Sequence, residues 1–266
     1  MGVLNVTPDS FSDGGAYVMA ERALARAHAM VAEGADLIDV GGESTRPGAE
    51  PVSEAEELRR VLPLIEALAP ELAVPVSVDT SKPGVMRRAV AGGAGLINDV
   101  FALRQPGALE AAADLGVPVC LMHMQGEPRT MQQAPRYDDV VTQVMAFLEA
   151  RLTACAGAGI EPQRVLLDPG FGFGKTLSHN LTLLRGLGSL LELGRPLLIG
   201  LSRKSMIDQL AGVARPPGER VNASVAAAVI AALKGASIVR CHDVAPTVEA
   251  LQVVRAVEQG EGDSHG

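Results

Sequence analysis

Polar residues recur in this chain where short apolar runs stop. Asn5 follows GVL, Asp39 follows LI, Asp79 follows PVSV, Asn98 follows LI, His123 follows VCLM, Asp168 follows RVLL, Ser202 follows LLIGL and Arg240 follows SIV. Carboxylates and amides exchange hydrogen bonds with a ligand and cations neutralise its anionic groups, so residues of these types at strand ends read as parts of one small-molecule site. The segments from Asn5 to Gly15 and from Gly41 to Gly48 are rich in small, hydroxylated and turn-forming residues, the composition of loops that close over a substrate. Arg46, between Thr45 and Pro47, has no structural duty that the sequence reveals.

Two motifs in the segment after Asp168 fall short of their models. Residues 169–176 come within one position of a Walker phosphate loop, but Pro169 stands where the first glycine belongs. Gly170, Gly172 and Gly174 are spaced GxGxG, and Lys175 takes the place of the third dinucleotide-binding glycine. These glycines are read instead as a tight loop approached closely by other backbone.

Each apolar run is short, β-branched or Leu-rich, and is followed by a Gly/Pro/Ser-rich loop and a helical pattern, which is a βα unit of a parallel sheet. Eight such units in 266 residues predict an α/β protein, a (β/α)8 TIM barrel of one domain over residues 1–257. Residues 258–266 are Gly-, acid- and Ser-rich and are expected to form a disordered tail. Val140, Val141, Val144, Met145, Leu148 and Leu152 recur at helical spacing in what should be the fifth ring helix, leaving Glu149 and Arg151 in water. Residues Glu54 to Arg60 place acids before bases and read as a solvated helix face. From Val221 to Leu233 Ala, Val, Ile and Leu cover nearly the whole circumference, and a homodimer packed on this helix is expected.

Composition narrows the class further. A net charge of -8 and a pI near 5.2 provide no basic face for nucleic acid or anionic membrane, so an anionic substrate must be met locally. The longest apolar stretch, Ala223 to Leu233, is too short to span a bilayer, and no signal pattern precedes it. Cys120, Cys155 and Cys241 are far apart, which suggests neither a disulfide framework nor a CxxC metal site and fits a reducing, cytoplasmic setting. His28, His123 and His179 form no ligand cluster, and His123 is expected inside the barrel.

The strings LNVTPDSFSDGG, DVGGESTRPGA, VDTSKP, LINDV, LMHMQG, DPGFGFGK, GLSRKS and RCHDV, in this order and across nearly the whole chain, resemble the dihydropteroate synthase family. One departure lies at the start, where Met1 falls inside the expected first strand. The resemblance implies a TIM barrel that joins hydroxymethyl-dihydropterin pyrophosphate to para-aminobenzoate, with pyrophosphate released. It assigns the 2-amino-pyrimidinone edge of the pterin to Asp168, completes the polar rim with Asp79 and Asn98, and gives Lys204 the far edge. Met122 and Phe173 become apolar walls, and Arg240 stacks on the ring. Asn5, Thr45, Arg46, Arg240 and His242 surround the pyrophosphate, with Mg²⁺ held by phosphate oxygens and the Asn5 amide. Para-aminobenzoate falls near Phe11, Pro47, Lys204 and Ser205.

Catalysis is then assigned to Arg46, Lys204, Arg240 and His242: Arg46, Arg240 and His242, with Mg²⁺, stabilise the departing pyrophosphate and Lys204 holds the pterin before the amine attacks. Pterin-binding methyltransferases that act with corrinoid proteins share the barrel and the Asp/Asn rim, but the ESTRPG and SRKS loops favour the synthase. A pterin binder without catalysis and a pure scaffold are the remaining alternatives.

Overall fold

A computed structural model describes residues 1–6, 16–45, 48–212 and 214–259. Eight parallel strands alternate with helices. The strands are β1 (Gly2–Asn5), β2 (Ile38–Gly41), β3 (Val76–Asp79), β4 (Leu96–Asp99), β5 (Val119–Met122), β6 (Val165–Asp168), β7 (Leu198–Gly200) and β8 (Ile238–Arg240). The ring helices α1 (Ala16–Ala32) to α6 (Leu177–Arg185) include α2 (Glu54–Glu71), α3 (Pro83–Ala91), α4 (Ala108–Leu115) and α5 (Val140–Gly157). A short α7 (Ser205–Ala211) precedes α8 (Val221–Leu233), and α9 (Val244–Gln259) ends the described chain.

β1 to β6 form one sheet in sequence order and β7 pairs with β8. Two single parallel bridges, Gly2 with Cys241 and Leu167 with Leu197, join these sheets into a closed ring. At the first seam Val3 N donates to Cys241 O at 3.0 Å, and Cys241 N to Met1 O at 2.9 Å.

Strand alternation explains where the site must be. Side chains one apart point to opposite faces, so the outward set comprises Ile38, Val40, Val76, Val78, Ile97, Val119, Leu121, Val165, Leu167 and Ile199. All of these belong to the large cluster that the strands share with the helices. The other parity points into the barrel in two layers. Leu37, Leu96, Cys120, Leu166 and Leu198, with Met1, make a separate apolar plug. Two residues further along each strand, toward the carboxyl ends, come Asp39, Asp79, Asn98, Met122, Asp168 and Arg240. The register sets Asp79 beside Asn98 and Met122 beside Asp168, while Asp39 lies beside Ser77 and Asn98 beside Cys120, so the polar ring is staggered along the barrel axis. Asp39 is therefore not a strand terminator: it is the second residue of β2, aimed inward and 0% exposed.

Three further expectations are corrected. The Glu54–Arg60 face is not wholly solvated, since Glu57 is 0% exposed and pairs with Lys82 of the β3–α3 loop. Glu43, in the β2–α2 loop, bonds the same ammonium and accepts Val52 N at 3.0 Å, so Lys82 ties two site loops to α2. Arg151 does not simply face water: its Nε donates to Ala102 O at 2.8 Å and its Nη2 to Leu103 O at 3.2 Å. Ala102 and Leu103 have φ of 53° and 56°, and this left-handed turn directs their carbonyls at α5. Glu258 lies in the last turn of α9 rather than in a tail, and residues 260–266 lie outside the described residues. The helix starting at Val140 is the fifth in the ring, and no helix among the described residues is long and apolar enough to cross a membrane.

Burial pushes the Glu57 carboxyl upward, while its bonds to Lys82 and Thr80 pull it down. Removing the cation leaves this carboxylate buried and uncompensated. Lys82→Met should cost about 3 kcal/mol in urea unfolding, and Lys82→Met with Glu57→Leu should recover most of that loss.

Candidate active site

Arg240, the last residue of β8, lies between two acids. Its Nε donates to Asp39 Oδ2 at 2.7 Å and its Nη2 to Asp79 Oδ2 at 2.9 Å. The same Asp39 oxygen accepts Asn98 Nδ2 at 3.0 Å, which fixes the orientation of that amide, since a carboxylate can only accept. Asp39 Oδ1 is buried without a partner among the described residues. Burial works to lower the pKa of Arg240, but Asp39 and Asp79 outweigh it and raise it. Burial lifts Asp79 to about 8, with Arg240 opposing the rise and Asp39 adding to it. One cation cannot fully compensate two buried carboxylates, so Asp79 keeps its proton longer than usual. The folded state holds that proton where the unfolded chain releases it, so Asp79 works against stability as pH climbs from 3.8 to about 8.

Asp168 closes β6 and is 6% exposed. Its Oδ1 accepts Gly170 N at 2.7 Å, which leaves Oδ2 and a lone pair of Oδ1 for a ligand. Burial raises its pKa, against Lys204, the Gly170 N–H, Lys175 and Arg240. Lys204 donates to Phe171 O and sits 4.8 Å above the centre of the Phe173 ring, so the β6–α6 loop holds it from below. Burial brings Lys204 down to about 8, with Asp168 raising it and Arg240 lowering it.

The preceding residue, Arg203, has φ of 58°. Its N–H donates to Ser224 Oγ at 2.9 Å, its carbonyl accepts Arg220 Nη1 at 2.8 Å, and its own Nε reaches Asp243 at 2.9 Å. These contacts to α8 and to the β8–α9 loop enforce a strained turn that presents Lys204 inward.

Most of the residues singled out in the sequence meet at this mouth. Asp79, Asn98, Met122, Asp168, Phe173, Lys204 and Arg240 line it, with Met122 and Phe173 in one apolar cluster beside Met124. Asn5 ends β1 opposite Gly41, where a Cβ would lie 3.3 Å from Asn5 Oδ1 and 3.5 Å from Asp79 Cβ. Glycine there lets both side chains approach. His242 Nδ1 lies 3.0 Å from Ser202 Oγ, joining the β7 and β8 loops. Thr45 is half-buried at the start of its loop, and Ser205 is exposed at the first turn of α7. A cavity of about 470 Å³ opens beside Ser205, lined also by Gly172, Thr176, Asn180 and Gln209. Phe11, Arg46 and Pro47 lie outside the described residues.

Sequence reasoning left Asp39, Glu43 and Lys82 without roles. Spacing could have found Asp39, because Leu37 and Asp39 repeat the parity of Leu166 and Asp168. The Lys82 contacts join segments remote in sequence and leave no local signal.

A family model described as "Pterin binding enzyme" matches residues 1–242. The dihydropteroate synthase of Escherichia coli strain K12 is 57% identical over 256 residues, covering 96% of this chain and 90% of the relative. The Yersinia pestis dihydropteroate synthase, solved with a sulfonamide drug, superposes with a TM-score of 0.93 at 56% identity, covering 97% of this chain and 94% of that one. The Xanthomonas albilineans enzyme, solved with 4-aminobenzoic acid, gives 0.92 at 58% identity, covering 97% and 92%. A structure of that enzyme with 7,8-dihydropteroate gives 0.88 at 55% identity, with the same coverage of 97% and 92%. An inward ring of acids and cations at the carboxyl end of an eightfold barrel, matched over nearly its whole length by such relatives, places this chain in the pterin-binding enzyme family, among the dihydropteroate synthases.

Proposed function

We propose that this chain condenses hydroxymethyl-dihydropterin pyrophosphate with para-aminobenzoate, giving dihydropteroate and pyrophosphate for folate biosynthesis. The observation that carries the reading is the ring of Asp79, Asn98, Asp168, Lys204 and Arg240, buried or half-buried at one barrel mouth. Asp168 accepts the paired N–H donors of the pterin's 2-amino-pyrimidinone edge, one at Oδ2 and one at Oδ1, which keeps a lone pair beside its bond from Gly170 N. Asp79 and Asn98 complete that rim, Lys204 donates to the far edge, and Met122 and Phe173 enclose the ring. Arg240, held by its two acids, offers its guanidinium face to the pterin and its remaining N–H groups to the pyrophosphate. Asn5, Thr45, Arg46 and His242 receive the rest of that group.

Among the described residues no cluster of three or more His, Cys, Asp or Glu can hold a metal ion. The half-buried Asn5 amide at a strand end suits instead an ion held chiefly by substrate phosphates with one protein oxygen. Asn5 would hold Mg²⁺ there, and the bound ion supplies charge neutralisation to the leaving group.

The reaction breaks the methylene–oxygen bond, whose electron pair leaves on pyrophosphate while the electron-rich dihydropterin shares the positive charge. Arg46, Arg240 and His242 stabilise the departing anion, and Lys204 fixes the ring. The arylamine nitrogen then bonds to the methylene carbon and loses a proton. Para-aminobenzoate is assigned to Phe11, Pro47, Lys204 and Ser205, of which Ser205 borders the cavity at α7.

The protein is further proposed to be a homodimer. Ile230 and Leu233 on α8 are 43% and 54% exposed, and Val253 and Val257 on α9 are 63% and 73% exposed, an apolar surface suited to a second copy. Three unpaired buried cysteines, Cys120, Cys155 and Cys241, accord with a cytoplasmic location.

An assay of pyrophosphate release should require Mg²⁺, pterin pyrophosphate and para-aminobenzoate together; release with any one omitted contradicts the reading. In that assay Arg46→Ala should lower turnover far more than pterin affinity, whereas equal losses would remove its assigned role. Because a pterin N–H donates best to an ionised Asp79 and the ring's far edge is held best by a protonated Lys204, both titrating at about 8, pterin affinity should peak near pH 8; Asp79→Asn should remove the acid-side limb contributed by that residue. Light scattering should give a dimer mass at micromolar concentration and a monomer for Leu233→Glu.

A further inference from the structure

Lys175 ends the glycine-rich β6–α6 loop and is 3% exposed. Its ammonium donates to Gly170 O at 2.8 Å and to Phe173 O at 3.1 Å, and lies 2.9 Å from His123 Nδ1. Three hydrogens thus meet three neutral acceptors, and among the described residues no carboxylate forms an ion pair with it. An ammonium beside Nδ1 makes that nitrogen the acceptor, which puts the imidazole proton on Nε2. Burial, with Lys175 adjacent, holds His123 down to about 3. Burial also brings Lys175 down to about 7, with Asp168 raising it and Lys204 lowering it. A buried cation without a direct counter-ion is costly.

Each contact of this group lies behind a residue of the mouth. Gly170 also donates its N–H to Asp168, the Phe173 ring lies under Lys204, and His123 follows Met122. The His123 ring is packed edge-on at 4.9 Å against Phe147, and Tyr137 Oη donates to Gly174 O at 2.9 Å. Gly170 and Gly174 have φ of 69° and 60°, and a Cβ would come within 1.8 Å of His123 O and 2.3 Å of Gln125 O. The turn is thus pressed onto the end of β5, and Lys175 bonds it from within.

We infer that Lys175 is a positioning residue for pterin recognition: it fastens the Gly170–Phe173 turn to His123 and supplies positive charge behind Asp168. This rests on the pterin reading above and gives a purpose to the lysine of the GxGxGK string and to the buried histidine. The charged and titratable groups facing Lys175 are His123 on the β5 side, Asp168 on β6 and Lys204 from the β7 loop, with Tyr137 beyond His123.

The test is calorimetric binding of the dihydropterin pyrophosphate across pH, with thermal unfolding measured in parallel. Lys175→Met should weaken affinity about tenfold, the scale of a lost charge-assisted hydrogen bond, and, compared in an Asp79→Asn background that removes the Asp79 limb, should move the remaining acid-side loss of binding to higher pH because Asp168 has lost a supporting cation. Lys175→Gln, a donor without charge, should regain part of the affinity while keeping the displaced acid limb. His123→Ala, which loosens the turn but keeps the ammonium, should weaken binding and leave the acid limb in place. A folded Lys175→Met protein with wild-type affinity and profile overturns the inference. Should Lys175→Met not fold, wild-type behaviour of both Lys175→Gln and His123→Ala overturns it equally. Wild-type protein that binds no pterin would instead defeat the proposed function.

Discussion

One guanidinium between two carboxylates governs the arrangement of this mouth. Arg240, Asp39 and Asp79 occupy the inward layer directly above an apolar plug, where water cannot repay the desolvation of three ionisable groups. An apolar trio of similar volume would cost less to bury. The triad endures because each member does something else as well: Asp39 orients Asn98, Asp79 keeps an unusually high proton affinity, and Arg240 is presented to the mouth with its plane fixed. Local rules of stable packing are broken where binding requires it.

Much of this was legible in the sequence because strand parity is rigid. Once eight apolar runs are recognised, the residues at their carboxyl ends must converge, and Asp79, Asn98, Asp168 and Arg240 do. The same parity, pursued one step further, distinguishes Asp39 from a terminator. What remained hidden depends on contacts between distant segments. Glu57 looks like one more acid in a solvated turn, and only the arrival of Lys82 from the next βα loop accounts for its burial. Arg151 looks like a surface base until the left-handed pair Ala102 and Leu103 turns its carbonyls toward it. Helical spacing describes a helix's own faces and carries no information on what a neighbouring loop brings to them.

The glycine-rich segment after Asp168 shows how one composition serves different ends. In nucleotide-binding loops, glycines let backbone approach a phosphate. Here the close approach is to backbone of the same protein, the carbonyls of His123 and Gln125, and the lysine that would otherwise reach outward to phosphate turns inward to hold the loop. The resulting shelf supports Lys204 through the Phe171 carbonyl and the Phe173 ring, so the reach of that ammonium is set before any ligand arrives.

The two seams of the barrel have a bearing on how the cylinder stays shut. All the inward acids, Asp39, Asp79 and Asp168, belong to the six-stranded part, whereas Arg240 and Lys204 come from the two-stranded part, which is joined to the rest by only one bridge on either flank. Opposite signs are therefore sorted onto opposite staves. The attraction that shapes the ligand pocket also acts as a hoop, drawing the last pair of strands against the others where the hydrogen-bond ladder is thinnest.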